Sequence, residues 1–245
     1  MLLAYLTLFA ITASPDPAAL CASALELRPT DQLQARATCS IAKVLALPKG
    51  PLKAALILNV PLANGDQGAL FIHDGKRWFD FGRVAGDRRL SVPGSLDDLT
   101  ELWTVDAFAA RKTRAGVFVT LGVRLERTTR EGASAFMLDH HVQIACRHDG
   151  TEPVCVQVVD RFDVRVRGTV PGVAPESWTR TVTLAEDGHV IVGDLQGTGT
   201  LDTLDVPAGT HTFASLAARP LVRRYPLTQL VHPDATRDLE LPDLR

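Results

Sequence analysis

The chain has 245 residues, of which 46% are hydrophobic and 22% charged, and its formal net charge is −2. That length can bury a core in one large β domain or two small ones. The near-neutral balance argues against nucleic acid or an anionic membrane surface as a partner. The Arg88-Arg89 and Arg223-Arg224 pairs have no interleaved aromatics and read as solvated surface.

Leu2 to Ile11 is an uncharged apolar run, followed by small residues, Pro15 and Pro17. It resembles the apolar and cleavage regions of a secretory signal, although no Lys or Arg precedes it. It falls short of the ~20 apolar residues a spanning helix requires, and no later segment reaches that length. The expected division is a signal peptide over 1–24, one β-rich domain with an N-terminal helix over 25–210, and an extended or partly disordered segment over 211–245. Two cleavage points are open, an early one at Ala13 and a better A-x-A match at Ala22-Ser23-Ala24. Periplasmic or secreted localisation follows. A lipid anchor on Cys21 is the alternative, and Leu20 suits it poorly because the residue before such a cysteine is normally small.

Residues 29–46 read as a helix. Thr30 or Asp31 can cap it, Leu33, Ala37, Ile41, Val44 and Leu45 lie near helical spacing, and Pro48, Gly50 and Pro51 stop it. Beyond it the pattern is β. Ala54 to Val60 is a short apolar strand ended by Pro61. Asp74-Gly75 joins Ala69–His73 to Arg77–Phe81 as a hairpin. Ser95 to Asp98 could open a short helix. Leu102–Ala110 and Val117–Arg127 form a long hairpin, with Val117, Val119, Leu121, Val123 and Leu125 on one face. Phe136–Cys146 pairs with Val154–Arg167, and Trp178–Leu184 pairs with His189–Val192 through Glu186-Asp187-Gly188. Consecutive hairpins imply an antiparallel meander that forms a barrel, half-barrel or sandwich, with the N-terminal helix packed on it.

Of the four cysteines, Cys146 and Cys155 flank an Asp149-Gly150 turn. A hairpin centred on Gly150 and Thr151 sets them directly opposite, at a separation a disulfide can span. Cys21 and Cys39 are the possible second pair.

Catalytic and cofactor motifs are sparse. There is no G-x-S-x-G, H-E-x-x-H, paired C-x-x-C or phosphate loop, and no cofactor or metal is implied. Ser40 and Lys43 match S-x-x-K spacing without its partner motifs, and read as a polar helix face. Strand register offers a better candidate. With Cys146 opposite Cys155, His141 faces Asp160, with Asp139 on the diagonal. The valine-rich face of 154–166 carries Asp160 and is expected to point inward. His141, Asp160, Asp139 and Gln143 would then be inside, and His140 exposed opposite Arg161. A buried carboxylate needs a partner, and a His–Asp couple satisfies both groups.

Two functions fit. The first is an exported, non-enzymatic envelope module that binds an apolar small molecule or another envelope protein. The second is a hydrolase or metal-dependent enzyme using His141, Asp160 and Asp139.

Overall fold

The computed structural model describes residues 40–47, 49–62, 65–91, 98–131, 133–168, 175–198 and 206–218. Expectations for the signal segment, Cys21, Cys39, residues 92–97 and residues 219–245 lie outside these. The described chain is mainly antiparallel β. Its long strands are β1 (Ser40–Ala46), β2 (Ala54–Leu62), β3 (Gly65–His73), β4 (Trp78–Ser91), β5 (Asp98–Thr113), β6 (Gly116–Glu131), β7 (Ser134–His148) and β8 (Pro153–Arg167). Shorter ones follow: β9 (Glu176–Thr179), β10 (Val182–Leu184), β11 (Val190–Val192), β12 (Gln196–Thr198) and β13 (Gly209–His211), then helix α1 (Phe213–Ala217). Ten strands form one sheet in the order β1 through β9, then β12. β10, β11 and β13 form a second sheet.

The hairpins arise where expected because the turn chemistry is local. In the β3–β4 turn, Asp74 Oδ1 accepts from the backbone N–H groups of Lys76 and Arg77, while Gly75 takes φ 95°, which side-chain-bearing residues rarely adopt. In the β7–β8 turn, Asp149 Oδ1 accepts in the same way from Thr151 and Glu152. The β5–β6 hairpin is longer than its sequence pattern, with both strands running to a two-residue turn at Arg114 and Ala115.

The cystine is present. Cys146 and Cys155 are register partners with Cα atoms 4.0 Å apart, and the bond joins positions nine apart in sequence. Loop entropy for so short a link gives about 2–3 kcal/mol. Replacing both cysteines with alanine is therefore expected to lower stability by about that amount. Denaturant titration of the double variant against the oxidised parent measures it.

Two expected elements are corrected. Residues 40–46 of the expected N-terminal helix are strand β1, paired antiparallel with β2, and residues 29–39 lie outside the described chain. A bulge between Ile41 and Lys43 breaks the two-residue alternation, so the apolar positions mimic helical spacing. Ser40 and Lys43 therefore share no helical turn, and Lys43 Nζ instead donates to Val105 O at 3.0 Å. The expected single strand Trp178–Leu184 is two strands. The chain leaves the large sheet after Thr179 and enters the small one at Val182. Buried Arg180 secures the crossing, its Nε donating to Val159 O (2.7 Å) and its Nη1 to Val206 O (2.8 Å).

The main core joins β2–β4 (Ile57, Leu70, Ile72, Phe81, Val84) to β6–β9 (Leu121, Val123, Phe136, Leu138, Phe162, Trp178). A second core lies at the cystine end. There Phe118, Val156 and Val158 pack against Leu184, Val190 and Val192 of the small sheet and against Phe213 and Leu216 of α1. Burying each such side chain is worth roughly 1.5–3 kcal/mol.

Candidate functional site

Alternation along β7 sends Phe136, Leu138, His140, Val142, Ile144 and Cys146 to the main core. Asp139, His141 and Gln143 occupy the opposite, polar face. This inverts the expected arrangement. The cause is a bulge in β8: His141 pairs with Arg161 and Val142 with Val159, leaving Asp160 as the extra residue. Before the bulge, Val156 and Val158 face the second core; beyond it, Phe162 and Val164 face the first. One inserted residue turns the remaining side chains over. His140 is consequently fully buried opposite Phe162, not exposed opposite Arg161.

The same bulge delivers Asp160 to the polar face. His141 Nδ1 lies 2.6 Å from Asp160 Oδ1, and Gln143 Nε2 donates to Asp160 Oδ2 at 2.9 Å. A second bulge makes the site symmetrical. β5 shifts register between Val105 and Ala107, so Asp106 is its extra residue. Asp106 Oδ2 reaches His141 Nε2 at 2.9 Å, across intervening strand β6. Gly122 on β6 permits this. A Cβ there would stand 2.2 Å from Asp106 Oδ1 and 2.9 Å from His141 Nε2, so a side chain would displace the contact.

Asp139 does not join the couple. Arg124 holds it through two bonds, Nε to Oδ1 at 2.9 Å and Nη2 to Oδ2 at 2.7 Å, and Arg161 lies 3.4 Å away. These guanidinium groups keep the Asp139 carboxyl below its usual range despite the opposing effect of burial, which is the largest single influence. Asp106 and Gly122 were missed in the sequence. The signals were there: a charge interrupting β5 after Val105, and a glycine inside an alternating strand, which marks close approach of a neighbour.

The hydrogen bond that the His141 ring donates to Asp160 raises the His141 pKa, burial opposes the rise, and the charge of Asp160 and the contact with Asp106 add to it. Carboxylates near both ring nitrogens favour the protonated imidazole, with Nδ1 hydrogen-bonded to Asp160 and Nε2 close to Asp106 without hydrogen-bond alignment. Its side chain is 11% exposed and that of Asp160 17%, so solvent screens the pair only weakly. Because the native pKa lies above the unfolded value of about 6.5, the stabilisation is complete below that pH and is lost as pH rises through the native value. Asp160→Asn is expected to cost about 1–2 kcal/mol at pH 6 and to lower the His141 pKa. Imidazole NMR titration and denaturation across pH check both; an unmoved titration would remove Asp160 from this role.

Among the described residues no group of three His, Cys, Asp or Glu side chains is placed to hold a metal ion. The two carboxylates approach His141 from opposite ring nitrogens, so this trio does not converge on one point. The other concavity of note is a groove of about 440 Å³ between β1 and β5, bordered by Lys43, Ile57, Asn59, Asp66, Asp87 and Trp103 among others.

Fold and site together define an antiparallel β-sheet protein with a cystine-closed hairpin and an Asp–His–Asp tie on one sheet face. A cystine is compatible with a location outside the cytoplasm, and no described helix is long and apolar enough to cross a membrane. No known protein family matches the chain, and no solved structure does. Over 52 residues it is 40% identical to endoplasmic reticulum membrane protein complex subunit 7 of Xenopus tropicalis. That stretch is 21% of this chain and 22% of the relative, so the match spans about a fifth of the relative's length.

Proposed function

We propose that the chain is an exported, periplasmic or secreted, non-enzymatic module that binds a partner protein through its long β-sheet, curled as a half-barrel or sandwich. The observation that carries this reading is the state of His141. A carboxylate oxygen lies 2.6 Å from Nδ1 and 2.9 Å from Nε2, so carboxylates occupy the approach to both ring nitrogens that a general base would need open to substrate. Its geometry is that of a cross-strand fastener linking β5, β7 and β8. The partly similar relative is by name a subunit of a membrane protein complex, which favours a protein partner. The groove beside β1 is open, unlike the enclosed apolar cavity expected of a small-lipid carrier.

The competing hydrolase reading rests on the short His141–Asp160 contact. A panel of esterase, peptidase and glycosidase substrates separates the two, using the wild-type chain and a folded His141→Ala variant. No turnover by either supports the binding module. Turnover by the wild type that His141→Ala abolishes would replace it with the enzyme.

A further inference from the structure

β2 and β3 are apolar on both faces. Ala54 to Leu58 and Ala69 to Ile72 run without a polar interruption, the pattern of strands covered on two sides. One face, with Ile57, Leu70 and Ile72, looks into the main core. The other carries Leu56, Leu58, Ala69 and Phe71, each 0–1% exposed, with buried Trp78 of β4 beside them. The partly buried apolar residues packed on this second face are Ile41 and Ala54, so its described apolar members all belong to β1 through β4, the sheet itself. A sheet face does not shut water out unaided. Burial this complete requires a covering layer from the remainder of the chain.

Most of that remainder is too short to serve. Residues 63–64, 92–97, 169–174 and 199–205 are connections of at most seven residues between described segments. The two long stretches are 1–39 and 219–245. The C-terminal one departs from α1, which packs in the second core on Phe118 of β6 and Val156 and Val158 of β8. In the sheet, β4 and β5 stand between those strands and β3. Its apolar residues are also divided by Arg223-Arg224 and by Asp234, Arg237 and Asp238. The N-terminal stretch enters β1 at Ser40, next to Ile41, which already packs on the face in question. Within it, Pro17 to Leu27 holds Leu20, Leu25 and Leu27 among small residues, and Glu26 is its only charge. Residues 28–39 tether that piece to β1 with a reach of up to about 40 Å, several times the ~5 Å between neighbouring strands.

We infer that residues 17–27 lie across the outer face of β2 and β3 and complete a third core there, with Leu20, Leu25 and Leu27 over Leu56, Leu58 and Phe71. The tether makes this cheap, because the entropy cost of closing a loop grows with its length. The inference stands apart from the partner-binding reading and bears on processing. Cleavage after Ala24 removes most of the cover and bares an apolar face, whereas cleavage after Ala13 keeps it. The earlier point is therefore the one that leaves a complete fold.

The test uses the full chain with isotope-labelled leucine methyls. Nuclear Overhauser contacts are expected from the Phe71 and Trp78 rings to the methyls of Leu20, Leu25 or Leu27. Contacts instead to leucines between Leu2 and Leu8 or between Leu221 and Leu244, or none beyond β1 to β4, overturn the assignment. Hydroxyl-radical labelling read by mass spectrometry gives a second measure. Leu20→Asp with Leu25→Asp is expected to raise labelling of Phe71 and Trp78 severalfold, and Leu230→Asp with Leu239→Asp to leave it unchanged. The opposite pattern, or no rise in either, overturns it as well, as does a processed chain whose intact mass begins at Leu25. Should the first double variant fail to fold, the methyl contacts in the unaltered chain decide.

Discussion

Replacing Arg127 with leucine is expected to destabilise the protein by about 3–5 kcal/mol, a large share of a typical domain's total. Arg127 lies on the core-facing side of β6, between Leu125 and Thr129, and is 6% exposed. Its register partner on β5 is Glu101, 1% exposed, and the two form a direct ion pair. Arg83 stands beside them, its Nη1 3.9 Å from Glu101 Oε2. Removing Arg127 leaves the Glu101 carboxylate in the interior with the more distant Arg83 as its counter-charge among the described residues. Replacing both Glu101 and Arg127 with leucine removes the desolvated charges together and is expected to recover most of the loss. Urea denaturation of the two single variants and the double provides the thermodynamic cycle. A single variant within experimental error of the parent, or a double as unstable as the single, would show that the pair is not what holds this part of the core.

His140 sets the response to acid. Burial, then the positive field of Arg127, pushes its pKa down to about 3, with Asp139 opposing and His141 adding slightly. Neither ring nitrogen has a hydrogen-bond partner, and the ring packs between Trp103 and Phe162 with centroids 6.4 Å from each. The native state therefore holds His140 neutral at pH values where the unfolded chain protonates it. The unfolded state binds the extra proton between about pH 6.5 and 3, so stability falls with acidification by about 1.4 kcal/mol per pH unit through that window. His140→Leu is expected to flatten this limb, saving on the order of 3 kcal/mol at pH 4. Stability curves of both proteins from pH 8 to pH 4, run in parallel, measure it; an unchanged acid limb would assign the sensitivity to other groups. The neighbouring His141 acts in the opposite sense, stabilising below its raised pKa. Adjacent histidines thus carry opposite pH dependences because a strand sends their rings to opposite faces.

The readable parts of this fold are those governed by adjacent residues. Asp74-Gly75 and Asp149-Gly150 specify tight turns through Asx bonds and a left-handed glycine, so hairpins and the Cys146–Cys155 pairing followed from spacing. The row Val117 to Leu125 was also legible, since β6 runs unbroken. The bulges were not. In β8, Val154, Val156 and Val158 are apolar, but so are Val159, Phe162 and Val164, and nothing in that order marks Asp160 as inserted. The His141–Asp160 contact was anticipated from a register that is off by one at that point, and its placement in the core was reversed. Asp106 comes from another hairpin strand and meets His141 only because Gly122 leaves a gap between them.

Local sequence alone therefore determined that this is an antiparallel meander with a cystine-closed hairpin, because turn geometry and two-residue alternation act over a few positions. Tertiary structure alone decided which face is interior, that β1 is a strand and not a helix, and that two aspartates clasp one histidine. Those outcomes depend on single-residue slips between paired strands, and a slip of one residue exchanges every later side chain between core and solvent.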